Sequence, residues 1–268
     1  MNPQYCIKTN IMILSLEECN ECWIELWWKI KNLVLLSNKG FNIPKSLIVA
    51  WKISKKDLLE AYDSWLWSDL YIVRSSATVE DGVENSFAGI FDSVEGFYNY
   101  WKLFEDYLYV LGSLNWDAFK IYVKRKNISI QSPLKMNILI QEYIWGEYSW
   151  VFFSSYKWGM YLEFIKGGNA FLVNGIVIPN KVVINSEYSE ESFLKWEQSR
   201  YLDRLLNINF MDTENEITEL NTFRKAWLKK VLVVMERIVQ FFSFEVDVEW
   251  TIRGGEVFVL QVRPITRN

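Results

Sequence analysis

Residues 246–264 read Val-Asp-Val-Glu-Trp-Thr-Ile-Arg-Gly-Gly-Glu-Val-Phe-Val-Leu-Gln-Val-Arg-Pro, two apolar-rich runs joined at Gly254-Gly255. Alternation in both runs predicts a pair of strands, and the glycine pair predicts a two-residue hairpin turn. Successive side chains of a strand point to opposite faces. Asp247, Glu249 and Thr251 therefore share one face, and Val246, Val248 and Trp250 the other. On the returning strand the same rule puts Val257, Val259 and Gln261 on one face, with Arg263 continuing it just before Pro264. An acidic pair opposite a glutamine and an arginine admits two readings. One is a solvated sheet face. The other is a metal and phosphate site, because carboxylate and amide oxygens suit magnesium and a guanidinium forks onto phosphate oxygens.

Outward from this hairpin the chain is α+β. Ser15 and Glu18 form a capping box that predicts a helix running on through residue 36, and Gly40 stands where a left-handed C-cap ends one. A strand is expected over 43–51, a helix over 54–67, a short β-rich run over 70–76, and a polar loop over 77–89. Helical spacing returns at 97–111 and 116–126. From Met136 the runs 136–144, 148–155, 160–165, 170–178 and 181–185 are strand-like, followed by helices over 191–206 and 217–242. Two lobes follow, with an approximate boundary between 1–135 and 136–268.

The loop after the 70–76 strand is the second informative stretch. It runs Arg74-Ser75-Ser76-Ala77-Thr78, then Glu80-Asp81-Gly82 and Ser86-Phe87-Ala88-Gly89. Small and hydroxylated residues let backbone N–H groups approach an anion, and the arginine supplies charge. There is no Walker A pattern.

Composition narrows the function. The 268 residues are half hydrophobic and 17% aromatic, enough to build a substantial core and to exclude intrinsic disorder. A net charge of −4 gives no basic footprint for nucleic acid. No apolar run approaches the roughly 18 residues that span a bilayer. No signal-peptide pattern opens the sequence, so the cytoplasm is expected. The histidine count is zero, which removes Ser-His-Asp and Cys-His triads, histidine metal sites and any phosphohistidine within these residues. Cys6, Cys19 and Cys22 are odd in number, and the Cys19–Cys22 CxxC lacks a second ligand pair for zinc, so inert thiols are expected.

The 74–94 stretch, with Arg-Ser-Ser-Ala, Glu-Asp and Ser-Phe-Ala-Gly in register, resembles the nucleotide-binding domain of the phosphoenolpyruvate synthase and pyruvate phosphate dikinase family. The hairpin resembles the same domain's end, through its Glu-Trp, Leu-Gln and Arg-Pro pairs and the closing Thr266. Lys29, Asn32, Leu33, Gly40 and Pro44 fall at the family's positions, as do Gln141 in its hinge and residues 173–180. The resemblance implies an ATP-grasp fold with ATP and Mg2+ between two lobes. By matching position, Lys29 and Arg74 would hold phosphates, with Ser75, Ser76 and Thr78 beside them. Gln141, Glu142, Tyr143 and Ile144 would meet the adenine edge through hinge backbone groups. Glu249 and Gln261 would ligate magnesium and Arg263 would contact phosphate, with Arg74 and Arg263 as the catalytic cations.

Departures accompany the likeness. The family's Gly-Gly before its lysine is Trp27-Trp28, its glutamate after Gly-Leu-Gly is replaced near Gly168-Asn169-Ala170, and Trp150 replaces a strand-opening glycine. Lys29 on its own also reads as a lysine snorkelling off an apolar helix. The function implied is an ATP-dependent phosphotransferase subunit. It would pass a phosphoryl or pyrophosphoryl group to a histidine on a separate swivelling protein. The alternatives are a kinase or ligase acting directly on a small-molecule acceptor, and a non-catalytic nucleotide-binding or scaffold module.

Overall fold

The computed structural model describes residues 13–21, 26–50, 52–77, 93–113, 117–125, 135–156, 159–167, 180–185, 192–194, 230–231 and 233–265. These divide into two compact units, one of residues up to Ile144 and one of Trp145–Ile265.

The first unit is a five-stranded antiparallel sheet ordered β1-β2-β5-β3-β4, with β1 Ile13–Ser15, β2 Ser46–Val49, β3 Leu70–Ala77, β4 Ser93–Phe97 and β5 Met136–Glu142. Its helices are α1 Trp28–Asn38, α2 Lys55–Ala61, α3 Tyr100–Gly112 and α4 Asp117–Arg125. One sheet face builds the core. Leu47, Val49, Tyr71, Val73, Ala77, Met136, Ile138 and Ile140 pack there with Leu58 of α2 and Leu103, Tyr107 and Val110 of α3. That is the alternate set of each strand; the opposite face of β2, β3 and β5 is buried as well, with Ile48, Ile72 and Leu139 on it. Because β5 pairs with both β2 and β3, it is interior to this sheet, so the unit runs past residue 135 to Ile144.

The capping box forms: the Ser15 N–H donates to Glu18 Oε2 at 3.1 Å and the Glu18 N–H to Ser15 Oγ at 3.3 Å. It opens only a 3-10 turn, Glu18–Glu21. Trp27 is extended (φ −89°, ψ 163°), which breaks the i to i−4 ladder, and α1 starts afresh after it. At the other end Gly40 (φ +77°) and Phe41 donate to Ser37 O and Leu36 O, a Schellman closure. The helix expected over 54–67 ends as α-helix at Ala61 and widens into a π turn, Tyr62–Leu66. Strands β1 and β4 of this unit were not expected from the sequence; β4 is the longer. It is short and sits at the edge, and a Cβ on Gly96 would stand 2.6 Å from Tyr71 Oη, so its weak pattern is set by a neighbouring strand.

The second unit is a six-stranded antiparallel sheet ordered β11-β10-β6-β7-β8-β9. Its strands are β6 Tyr148–Tyr156, β7 Gly159–Lys166, β8 Asn180–Asn185, β9 Ser192–Leu194, β10 Val246–Arg253 and β11 Glu256–Pro264. Ser192–Leu194 corrects the start of the helix expected over 191–206, since these three residues pair with β8; residues 195–206, and 217–229 of the next expected helix, lie outside the described residues. Residues 233–241 are helical, burying Met235 and Ile238 on one side. The predicted hairpin turn is present, with Gly254 (φ +59°) and Gly255 (φ +84°) between Arg253 and Glu256. The α+β class expected from the sequence is the class observed.

Candidate functional site

Two polar sheet faces carry the sequence-predicted residues, one in each unit. In the first unit Arg74 pairs with Leu139 and Ser93, and Ile72 with Gln141 and Glu95. Arg74, Ser76, Asn137, Gln141, Ser46 and Glu95 thus share the face opposite the core cluster. Arg74 is only 8% exposed, and Ser76 Oγ is buried with no hydrogen-bond partner. Ser75 is directly across from Ile138, a core residue, so its side chain lies on the other face from Arg74. The sequence had grouped Ser75 with its neighbours as a run; strand alternation separates them.

Gln141 donates through Nε2 to Ser46 Oγ at 3.2 Å, and Ser46 in turn donates to the Pro44 carbonyl, so this glutamine side chain braces β2. In the hinge, the Glu142 N–H donates to Lys45 O and the Tyr143 N–H to Leu70 O. Ile144 closes the hinge and is buried. Burial raises the Tyr143 phenol to about 12, with Glu95 adding and Arg74 opposing. Desolvation likewise raises the Glu95 carboxyl against the pull of Arg74. Lys29 occupies the first turn of α1, a turn with no acidic residue, on a helix that contacts β3. Thr78, residues 79–92, 168–179 and Cys22 lie outside the described residues.

In the second unit the hairpin places Glu249 opposite Gln261 and Asp247 opposite Arg263. Glu249 and Gln261 are each 7% exposed, and Gln261 Nε2 lies 3.4 Å from Glu249 Oε1. Arg263 Nε donates to Asp247 Oδ2 at 2.7 Å. One expectation is corrected here. Trp250 pairs with Val259 rather than with Leu260, so β11 carries a bulge with one extra residue. Past that bulge the alternation inverts: Val259 and Val257 join Trp250 and Ile252 on the apolar face, while Gln261 and Arg263 join Glu249 and Asp247. A strict period of two cannot anticipate an inserted residue. Thr251, on the same face, is used structurally, donating to Tyr148 O at 2.8 Å and lying 3.1 Å from Ser149 Oγ.

The hairpin offers magnesium a donor set of oxygens. A buried carboxylate faces an amide whose nitrogen is turned to that carboxylate, leaving only hard oxygens to offer a cation. Among the described residues no three cysteine, aspartate or glutamate side chains converge on a metal site. The residues present fit.

A family model for the pyruvate phosphate dikinase AMP/ATP-binding domain matches residues 30–268. The chain belongs to this family. It is 24% identical over 205 residues to a probable phosphoenolpyruvate synthase from Archaeoglobus fulgidus, covering 74% of this chain. The chain spans 27% of that relative's length. Among solved structures, a dinucleotide-forming acetyl-coenzyme A synthetase 1 from Ca. Korarchaeum cryptofilum has a TM-score of 0.48 at 16% identity, covering 93% of this chain and 97% of its own. A protein from Pyrococcus horikoshii Ot3 has the same TM-score at 11% identity, with 94% and 96% covered. As a member of the dikinase AMP/ATP-binding family, the chain is an ATP-binding domain. Among the described residues no helix is long and apolar enough to cross a membrane.

Sequence reading alone missed Glu95, Ser46 and Asn137 on the Arg74 face. The signal for Glu95 was alternation about Val94, which pairs with Val73.

Proposed function

We propose that the chain binds ATP with magnesium and acts as a phosphotransferase subunit. It passes a phosphoryl or pyrophosphoryl group to a histidine on a separate swivelling partner. The observation that carries this reading is the buried Glu249–Gln261 pair, with Arg263 next along the same face, in a chain of an AMP/ATP-binding family. Glu249 and Gln261 would hold the metal through oxygen. Magnesium, when bound, would neutralise phosphate charge and polarise the transferred group. Arg263, tethered at Nε by Asp247, has its terminal nitrogens oriented by that bond and would use them on phosphate. Arg74 and Lys29, with Ser76 and Thr78, would hold phosphates from the first unit. The Ile144 N–H and hinge carbonyls would read adenine, since the Glu142 and Tyr143 N–H groups already serve Lys45 and Leu70. Phosphoryl transfer asks a protein chiefly for positioning and charge neutralisation, which these residues supply. The acceptor histidine must come from outside these 268 residues, which contain none.

Calorimetric titration of the chain with ATP, with and without magnesium, tests the reading. Magnesium-dependent binding weakened at least about tenfold by Glu249→Ala is expected, the loss of a charge-assisted contact. Equal affinity in both proteins, or no binding by the folded chain, overturns it. With a partner that bears the acceptor histidine added, AMP is the expected nucleotide product of pyrophosphoryl transfer, and ADP would mark transfer of the γ-phosphoryl alone.

A further inference from the structure

We propose that Glu95 is an acidic counter-group to Arg74, sharing its guanidinium with the phosphates of a bound nucleotide and so setting how tightly the first unit holds them. This rests on the ATP-binding reading above. Glu95 stands on β4, the edge strand, paired with Ile72; Arg74 stands two residues along β3, paired with Ser93. The side chain is therefore one strand over and one step along from Arg74, on the same face. Its neighbours in β4 explain the placement: Val94 pairs with core residue Val73, which turns Glu95 to the polar side. Arg74 is buried on that face, so a phosphate that reaches it arrives beside the carboxylate.

The charged and titratable groups that face Glu95 come from two elements, Arg74 of β3 and Tyr143 just after β5. From α3, which also contacts β4, Asp106 and Lys102 are engaged on the core side, Asp106 accepting from Tyr71 Oη and pairing with Lys102. Desolvation already favours the neutral carboxyl, and Arg74 alone opposes it. A phosphate on Arg74 cancels that opposition and adds a like charge, so the carboxyl takes up a proton. That protonation costs binding energy at neutral pH and costs less as pH falls.

The test is calorimetry of the whole chain with Mg-ATP at neutral and mildly acidic pH, in buffers of different ionisation enthalpy. Wild type is expected to take up protons on binding and to bind more tightly at the lower pH. Glu95→Gln should bind roughly twofold to fivefold more tightly at neutral pH, the range of a solvent-accessible charge pair, with the Glu95-dependent proton uptake gone. Glu95→Asp should keep the linkage. Glu105→Gln, an exposed acid of α3, should behave as wild type. Equal affinity and proton uptake in wild type and Glu95→Gln overturn the proposal while leaving ATP binding intact. A gain shared by Glu105→Gln overturns it as a general charge effect. A wild type that binds no ATP at all sinks both this proposal and the reading it rests on.

Discussion

Tyr71 illustrates how single side chains hold the first unit. It is fully buried, and its hydroxyl donates to Asp106 Oδ2 at 2.8 Å, an aspartate itself 3% exposed. Tyr71→Phe strands one oxygen of a buried carboxylate, so a loss of about 1–3 kcal/mol is expected in urea unfolding. Burial raises the phenols of Tyr62, Tyr71, Tyr98 and Tyr107 above their ordinary range, and Tyr143 to about 12. Unfolded tyrosines ionise near 10, so above that pH the unfolded chain sheds protons that the folded chain keeps. Stability is whole below about 10 and falls as pH rises through the Tyr143 value of about 12. Urea midpoints across this alkaline range should decline, and less steeply in Tyr143→Phe. At this scale the candidates Arg74, Glu249, Gln261 and Arg263 stood out in the sequence, because polar residues in apolar strands are conspicuous. Glu95 did not, since only the strand pairing sets this exposed edge glutamate beside Arg74.

Elements were legible where local chemistry is decisive. The hairpin turn, the Schellman end of α1 and the capping box all formed from signals a few residues long. Gly40→Ala isolates one of these. A Cβ there would meet nothing within 4 Å, so the expected cost, about 1–2 kcal/mol in urea unfolding, is that of the left-handed backbone alone. The bulge in β11 was not legible. Pairing Glu249 with Gln261 and Trp250 with Val259 satisfies two faces at once, and no residue type announces it. Deleting Leu260 should close the bulge and leave Gln261 across from Glu249 and Val259 across from Trp250, so retained magnesium-dependent ATP binding in calorimetry is the expected result.

For the whole molecule, ligand linkage provides the broadest check. A ligand that binds only the folded chain at 100 times its Kd adds about 2.7 kcal/mol, so Mg-ATP should raise the thermal midpoint of wild type. Arg74 and Glu249 belong to different units. Arg74→Ala and Glu249→Ala should each weaken ATP binding in calorimetry, and an affinity unchanged in either variant would remove that residue from the proposed set.

The sequence by itself determined the α+β class, the family, most strands, the closing hairpin and the absence of any histidine chemistry within these residues. Those are local or compositional properties, carried by periodicity, turn residues and counts. Only the tertiary structure decided which face each polar residue occupies: Ser75 turned to the core, Gln261 returned to Glu249 by a bulge, Glu95 brought beside Arg74. Strand pairing joins residues far apart in the chain, and one inserted residue reverses every face beyond it.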